Sequence, residues 1–320
     1  MVFFECINNQ EAANMMFDKA KEWIESKGLK AMDGSANFGE NLFHWGVLVD
    51  GFIPQSIGMN YNFPYYKDLF EHYGFKEYFK QLSYKKDLSK PWPERQLKFA
   101  RFLASRPEYT FKHFKFSEKD KYINDLCNVY NEVWSDFHED YTPIKPDELY
   151  EMFEDLKDII DEELIWFAYT DNKPIGMVLG LPDINHILRK LGNGKLNLIN
   201  KLKLFYHFKI SKNIPGTRTI ASGVIPKYQQ KGVIATLFLQ LSDTMQKKGQ
   251  KSIELAWTGD YNEPVLAIYE HVGAELASTH LTYRYIFDKN IPFQRFTNEE
   301  GYKSRKKKKA EDKTTNEPKK

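Results

Sequence analysis

A strand-turn-helix segment over residues 217–249 carries the backbone groups best suited to binding an anion. Thr219–Ile225 is an apolar-leaning run with one glycine, typical of a strand, and Pro226 cannot continue a central strand. A polar turn leads through Gly232 into residues whose apolar members recur every three or four positions, which predicts a helix. The first N–H groups of such a helix have no partner within it and lie at the positive end of its dipole. The segment therefore predicts a site for a phosphate or another anion.

Two motifs resemble the acyl-CoA signatures of the GNAT superfamily of N-acyltransferases. The first is V-x-P-x-Y-Q-x-x-G, represented here by Val224, Pro226, Tyr228, Gln229 and Gly232. The second is N-x-x-x-x-x-x-Y-x-x-x-G, represented by Asn262, Tyr269 and Gly273. Between the motifs, Lys251–Trp257 alternates as a strand. The chain departs from the superfamily at Ile234, where glycine or alanine is usual and a branched side chain would crowd a diphosphate.

The resemblance implies an α/β (α+β) fold with a mixed, mostly antiparallel central sheet flanked by helices. Three segments are expected in chain order: a partial, degenerate GNAT-like module at 1–106, the GNAT N-acyltransferase domain at 107–290 and a basic, disordered tail at 291–320. The partial module is inferred because the E-H-x-G sequence of Glu270–Gly273 recurs at Glu71–Gly74.

The first module lacks the features that would let it bind CoA in this manner. The turn before its first helix, Asn8–Glu11, has no glycine and carries a carboxylate that would repel a phosphate. Phe70 stands where the second module has Tyr269, so that position has no hydroxyl that could act as a general acid. The module also has no room for the opening strands of the fold, which indicates either a truncated N-terminus or strands supplied from elsewhere.

The resemblance implies that acetyl-CoA or another acyl-CoA is the co-substrate. The backbone amides of Gly223, Val224 and Ile225 are expected to pair with the pantetheine arm and to polarise the thioester carbonyl. The diphosphate is expected to bind the N–H groups of a continuous run that follows Gln229: Gln230, Lys231, Gly232, Val233, Ile234 and Ala235. Asn262 is expected to cap its helix, with a contact to the CoA arm as the alternative.

Acyl transfer to an amine requires a neutral nucleophile, a stabilised oxyanion and a protonated leaving thiol. At pH 7, an amine with a pKa near 10.4 costs roughly 4 to 5 kcal/mol to deprotonate, so a base or a desolvating pocket must contribute. Glu254, expected midway along its strand and opposite its apolar neighbours, is the first candidate base, with Asp183 and Asp260 as alternatives. A structural carboxylate is the competing interpretation of each. The resemblance places Tyr269 beside the CoA sulfur, as the general acid.

An insertion at 186–213 precedes the CoA-binding strand and carries seven Lys or Arg residues among apolar ones. Its pattern is that of a basic amphipathic helix. A lid whose apolar face covers the acceptor pocket is the first interpretation, and attachment to a membrane surface is the alternative.

Composition limits the classes of function. The chain has 320 residues, 42% of them hydrophobic and 28% charged, which is ordinary for a soluble globular protein. The net charge of +2 combines a tail with nine basic and three acidic residues over 303–320 with a mildly acidic remainder of −4. The remainder gives no reason to expect nucleic acid, and a solvated tail is favoured over contact with nucleic acid or an anionic membrane.

The two cysteines, Cys6 and Cys127, form neither a disulfide framework nor metal-ligand spacing. No metal is expected, and a reducing compartment is indicated. The first residues lack the pattern of a signal peptide, and no run of 18 apolar residues occurs, so a cytoplasmic protein without a transmembrane segment is expected.

These features favour an acyl-CoA-dependent N-acyltransferase, an N-acetyltransferase first, that acts on a primary amine of a small molecule or peptide. One alternative is a non-catalytic GNAT-like ligand-binding scaffold, which Ile234 favours. Another is a tRNA-dependent aminoacyl transferase of the tandem-GNAT kind, against which the acidic body counts. The sequence leaves the acceptor, the acyl chain length and the oligomeric state open.

Overall fold

The structure, a computed structural model, describes residues 4–35, 45–135, 142–191, 195, 197–211 and 214–297. Its helices are α1 (Gln10–Ser26), α2 (Tyr66–Tyr73), α3 (Glu94–Ala104), α4 (Lys119–Trp134), α5 (Pro146–Leu156), α6 (Asn185–Leu188), α7 (Leu198–Phe205), α8 (Val233–Lys247) and α9 (Glu263–His271). Its strands are β1 (Ala31–Gly34), β2 (Val47–Asp50), β3 (Lys76–Asp87), β4 (Thr110–His113), β5 (Ile165–Thr170), β6 (Lys173–Pro182), β7 (Gly216–Val224), β8 (Ser252–Glu254), β9 (Thr258–Gly259) and β10 (Glu275–Ile286).

The chain divides into two compact units, each discontinuous in sequence. The first comprises residues up to Lys86, Asp183–Asn200 and Glu254–Phe296, and the second contains Asp87–Pro182 and Lys201–Ile253. The division does not follow the expected boundary at residue 106, because residues 87–106 pack within the second unit. The assignment of a partial module followed by a complete one stays a prediction. The expected tail lies, from residue 298, outside the described residues.

The second unit is built on strands in the order β8-β7-β6-β5-β4. The pairs β4/β5, β5/β6 and β6/β7 are antiparallel. Strand β6 is buried along nearly its whole length, as expected when both faces of a sheet are covered, and helices α4 and α8 both pack against it. This mostly antiparallel sheet with flanking helices confirms the predicted fold class.

The first unit is organised around the antiparallel pair of long strands β3 and β10. Strands β1 and β2 pair with β10, and β9 pairs with β3. An aromatic cluster packs beside them, with Phe17 stacked on Phe4 at a centroid distance of 4.9 Å and edge-on to Phe70 at the same distance. Burial of these rings, rather than catalysis, accounts for the phenylalanine at position 70.

The order of elements from α1 to β3 is repeated from α8 to β10. Each run consists of a helix, two short strands, a second helix and a long strand. In each run the first helix is followed by Lys and a glycine with φ of +75°, which is Gly28 in the first run and Gly249 in the second. The E-H-x-G match marks the same helix end twice: the N–H groups of Gly74 and Gly273 each donate to the carbonyl of the Glu three residues earlier, at 3.0 and 2.9 Å. These correspondences support a repeated unit in the chain.

The insertion forms α6, a 3-10 turn at Arg189–Leu191, α7 and a π-helical turn at Tyr206–Ile210. Several large apolar side chains of α7 are exposed and cover nothing in the described part of the chain. The helix is therefore not a closed lid in this structure. Within the described ranges, no helix has both the length and the apolar character needed to cross a bilayer.

Candidate active site

The predicted strand-turn-helix is present, and Gly232 begins its helix. Strand β7 ends at Val224, residues Pro226–Tyr228 form a 3-10 turn, and α8 starts at Val233. Gly232 has φ of +82°, in the left-handed region that glycine adopts without a steric cost. No side chain among the described residues caps the helix. The first N–H groups of α8 are therefore left for solvent or for a ligand.

The turn faces solvent, as an anion site requires. Gln229, Gln230 and Lys231 are exposed, and only from Val233 onward does the helix bury side chains in the core. In the described part of the chain, the N–H groups of residues 230–235 have no backbone acceptor. These donors, together with the lysines of the turn, favour a diphosphate.

The corresponding helix of the repeat, α1, is closed to such a ligand. The side chain of Asn9 caps it, with Oδ1 accepting a hydrogen bond from the Ala12 N–H at 2.9 Å. Glu11 also lies in its first turn, where a carboxylate opposes an anion. The two helix starts therefore differ in the way the sequence predicts, one capped and acidic, the other uncapped and led by glycine.

Phe99 lies against the glycine of the turn. A Cβ placed on Gly232 would come 2.1 Å from Cε1 of Phe99, which is a severe steric clash. Helix α3, which carries Phe99, packs on α8, and the ring is 49% exposed. The ring therefore borders the start of α8 on one side, and glycine is the residue that fits there. Ile234, where the chain departs from the superfamily motif, lies two residues after Gly232 and is half-buried.

One of the three strand amides expected to pair with pantetheine is already engaged. The N–H of Ile225 donates to the Ile175 carbonyl at 3.0 Å, toward β6. Backbone groups alternate in direction along a strand, so the N–H of Gly223 also points toward β6 and that of Val224 points away. Sheet pairing thus uses the amides of Gly223 and Ile225 in this structure, and their expected contact with pantetheine stays a prediction.

The backbone N–H and C=O of Val224 that point away from β6 lie at the end of β7, past the part of β7 that β8 accompanies. The N–H groups of Lys251 and Ser252 donate to the Pro215 carbonyl at 2.7 and 3.3 Å, which places β8 beside the beginning of β7. The Val224 carbonyl instead accepts a hydrogen bond from Nε2 of Gln229 at 3.0 Å. The glutamine of the motif thus ties the turn to the end of the strand, a role of its side chain that the sequence did not reveal.

Tyr269 lies on α9 and is buried, with 3% of its surface exposed. Its hydroxyl donates to the Ala256 carbonyl at 2.7 Å, and its ring lies 5.6 Å from that of Tyr84. Burial raises the pKa of the Tyr269 hydroxyl well above its ordinary value. The group therefore keeps its proton at neutral pH, as a general acid must before it acts.

Glu254 is buried and paired with a serine from a distant part of the chain. Oγ of Ser56 donates to Oε2 of Glu254 at 2.7 Å. Strand β8 covers only Ser252–Glu254, so Glu254 ends the strand rather than lying midway along it. Ile253, Glu254 and Leu255 are all buried, and the N–H of Leu255 donates to the Tyr84 carbonyl at 2.8 Å.

The alternative carboxylates are both engaged in structural contacts. Oδ1 of Asp183 accepts the N–H groups of Ile57 and Asn185, at 3.1 and 3.2 Å. Oδ1 of Asp260 accepts the Lys80 N–H at 3.1 Å, and its Oδ2 pairs with Arg295 at 2.6 Å. Both therefore fit the structural interpretation better than Glu254 does.

Asn262 occupies the N-cap position of α9, but its side chain makes no capping hydrogen bond. Its backbone carbonyl accepts the Val265 and Leu266 N–H groups, at 3.0 and 3.1 Å. The expected side-chain cap is therefore wrong, which leaves the contact with the CoA arm as a prediction. In the described residues, no cluster of three or more His, Cys, Asp or Glu side chains is arranged to hold a metal ion.

Sequence reasoning missed Ser56 and Phe99. Ser56 lies 198 positions from Glu254, and no local pattern links a serine to so distant a carboxylate. Phe99 carries a weak signal, since Glu94–Ala104 has the composition of an amphipathic helix after Pro93. That helix predicts an apolar side chain to be buried, but not that the side chain meets a glycine in the second half of the chain.

Comparisons with known proteins agree with this arrangement. Residues 127–274 match the sequence model of the acetyltransferase (GNAT) family. The chain is 28% identical over 276 residues to a bacterial ceramide synthase of Caulobacter vibrioides, covering 84% of this chain and 70% of that protein. It is 25% identical over 282 residues to protein YghO of Escherichia coli, covering 85% and 70%.

A solved structure shares the fold. It is a GCN5-related glucosamine N-acetyltransferase region of a fungal multi-domain β-N-acetylglucosaminidase, which superposes with a TM-score of 0.50 at 12% identity. The match covers 85% of this chain and 27% of the fungal one. An acetyltransferase (GNAT) family match therefore spans residues 127–274 of this chain, from within α4 to the end of α9, and includes the glycine-led start of α8.

Proposed function

We propose that this protein transfers an acyl group from acyl-CoA to the primary amine of an acceptor. The observation that carries the proposal is the start of α8, which is uncapped by any described side chain, exposed and led by Gly232. Its donors fit the diphosphate of CoA through charge and direction, with little dependence on side chains. Acetyl-CoA and longer acyl-CoA thioesters share this diphosphate, so both are candidate donors.

A long-chain amino alcohol is the acceptor class we propose. Its support is the Caulobacter relative named a bacterial ceramide synthase, since a ceramide is the amide of a long-chain amino alcohol and a fatty acid. The chemistry matches the general proposal, because such an acceptor presents one primary amine. A long-chain acyl-CoA is the corresponding donor.

In the proposed reaction, the amine nitrogen attacks the thioester carbon, a C–N bond forms and the C–S bond breaks. Glu254, held by Ser56, accepts the proton that the amine loses, and the proton of Tyr269 goes to the departing thiolate. In this structure the Tyr269 hydroxyl donates to the Ala256 carbonyl, so delivery of the proton requires that bond to be exchanged for one to sulfur. The outward N–H of Val224 is the strand donor left for the pantetheine arm.

The test is a single change of charge in the turn. Gln230→Glu changes an exposed side chain by one charge at nearly constant shape and places a carboxylate where the diphosphate binds. Gln294→Glu, also at an exposed glutamine, is the matched control. At 100 times its Kd, CoA should stabilise the wild type and the control by about 2.7 kcal/mol in thermal unfolding. We expect Gln230→Glu to lose at least tenfold in CoA affinity.

Transfer itself is measured by mass spectrometry of the amide product and by release of free thiol. Acetyl-CoA and palmitoyl-CoA are compared as donors, with a long-chain amino alcohol and a short alkylamine as acceptors. Amide formed from the long-chain amino alcohol supports the full proposal, and amide from the short amine alone contradicts the acceptor class. No stabilisation by millimolar CoA would contradict the site and favour a non-catalytic scaffold, the alternative that Ile234 favours.

A further inference from the structure

The insertion contains a continuous cationic segment with no acidic residue. Residues 184–213 include seven Lys or Arg residues and no Asp or Glu. The rest of the chain before residue 303 is net acidic, so this charge is concentrated rather than general. A segment of this kind attracts anionic surfaces over about one Debye length.

Within this segment, α7 and the turn after it expose a row of large apolar side chains. Each of six residues has between 53% and 73% of its surface exposed: Leu198, Ile199, Leu202, Phe205, Tyr206 and Ile210. Isolated exposed apolar residues are common in proteins, but a contiguous set on one helix marks an interaction surface. We call the set formed by these six side chains the α7 surface.

The charges border the α7 surface on both sides. With about 100° between successive residues of a helix, the apolar members from Leu198 to Tyr206 span an arc of roughly 120°. Lys201 and Lys203 are exposed and fall at its two borders. Lysines in these places can keep their ammonium groups among lipid headgroups while apolar neighbours enter the boundary with the acyl chains.

The opposite face of the helix carries the buried side chain of Asn200. Asn200 is buried, with Nδ2 donating to the Lys195 carbonyl at 2.7 Å, and its N–H donates to Oδ1 of Asn197 at 2.9 Å. The helix is thus capped at its start by the Asn197 side chain. Its buried Asn200 lies on the face opposite the exposed apolar side chains, which leaves the α7 surface available to a partner.

We propose that the α7 surface binds the face of an anionic phospholipid bilayer, with α7 lying in the plane of the membrane interface. Exposed aliphatic and aromatic side chains bordered by lysines, in a segment (184–213) without Asp or Glu, match the chemistry of that surface. Tyr206 adds the amphipathic ring that suits the headgroup level. This proposal stands on the α7 surface alone and does not depend on the acyl-transfer reaction.

Co-sedimentation with vesicles tests the proposal. One set of vesicles contains phosphatidylcholine alone, and the other contains phosphatidylcholine with phosphatidylglycerol. We expect the full-length protein to bind the anionic vesicles at least tenfold more tightly, and added salt to weaken the binding. The double variant Leu202→Asp/Phe205→Asp should lose at least tenfold in affinity for anionic vesicles, and Lys201→Glu/Lys203→Glu should lose several-fold.

The matched control places the same changes on another helix. Met15 and Trp23 of α1 are as exposed as the residues of the α7 surface, so Met15→Asp/Trp23→Asp should bind vesicles within twofold of the wild type. The basic residues of 303–320 are present in every variant, so attraction through them cannot produce the difference between the two doubles. Circular dichroism and thermal unfolding confirm that each variant folds.

Three results would overturn the proposal. The first is equal binding to neutral and anionic vesicles, and the second is equal loss in the α7 and α1 doubles. The third is a dimer in light scattering that Leu202→Asp/Phe205→Asp converts to a monomer, because a second copy of the chain would then be the partner of the α7 surface.

Discussion

At the scale of single residues, both candidate catalytic groups are buried and hydrogen-bonded. Tyr269 lies in the core with its hydroxyl on the Ala256 carbonyl, and burial raises its pKa. Glu254 is also buried, and its Oε2 accepts a hydrogen bond from the hydroxyl of Ser56. In the proposed reaction the phenol acts as the acid and the carboxylate as the base.

Tyr269→Phe separates catalysis from binding. The ring keeps its packing, so we expect CoA affinity to stay within twofold, while kcat falls at least tenfold because the thiolate loses its proton donor. Loss of the bond to Ala256 should lower the free energy of unfolding by about 1 kcal/mol. Steady-state kinetics and CoA titration measure the two effects.

Tyr84→Phe is the matched control, since it removes a hydroxyl from the ring beside Tyr269. Its kcat should stay close to the wild-type value. An unchanged kcat in Tyr269→Phe would remove the Tyr269 hydroxyl from the mechanism.

At the scale of elements, the packing of α3 on α8 determines which residue can begin the candidate CoA helix. Gly232 is required for two reasons. Its φ is +82°, and the ring of Phe99 lies where the Cβ of any other residue would be. The first reason is local and would apply in any protein with this turn. The second depends on tertiary contact, and a double-mutant cycle can measure it alone.

Gly232→Ala should be destabilising in the wild type and less so in a Phe99→Ala background. The new methyl group meets the ring only when the ring is present, whereas the strain of a positive φ, about 1 kcal/mol, persists in both. We expect a coupling free energy of about 1 kcal/mol in urea unfolding. Strict additivity of the two changes would show that the ring moves aside at no cost.

At the scale of the whole molecule, buried tyrosines make the fold sensitive to alkali. Burial, the larger effect, raises the pKa of Tyr66 to about 12, and the Glu5 carboxylate that accepts its hydroxyl at 2.8 Å adds to the shift. Burial likewise raises the pKa of Tyr261 to about 12. In an unfolded chain these groups have a pKa near 10.

The free energy of unfolding should therefore fall as pH rises from about 10 toward 12. The folded state holds the neutral phenols, and the unfolded state releases their protons first, so this stabilisation is complete below pH 10 and is lost through the folded-state pKa. Urea unfolding at several pH values measures the slope. Tyr66→Phe should flatten it relative to the wild type, and a slope that the substitution leaves unchanged would contradict the assignment.

The sequence by itself determined the parts of this protein that depend on local chemistry. A proline that ends a strand, a polar turn that contains a glycine and an apolar period of 3.6 residues together predicted the turn from β7 into α8. The repeated E-H-x-G likewise marked two helix ends with one hydrogen-bond pattern. Such signals act within a few residues, which is why they can be recognised in a single chain.

Tertiary structure decided what long-range contacts control. The strand alternation of Lys251–Trp257 predicted a longer β8, but β8 ends at Glu254, and after it the N–H of Leu255 bonds to the Tyr84 carbonyl of β3. The pairing of β7 with β6 determines that the Ile225 amide is hydrogen-bonded within the sheet. Tertiary packing places Phe99 against Gly232 and brings Ser56 within hydrogen-bonding distance of Glu254. These partners lie tens to hundreds of positions apart, and only the folded chain, by burying them together, determines which groups stay available for chemistry.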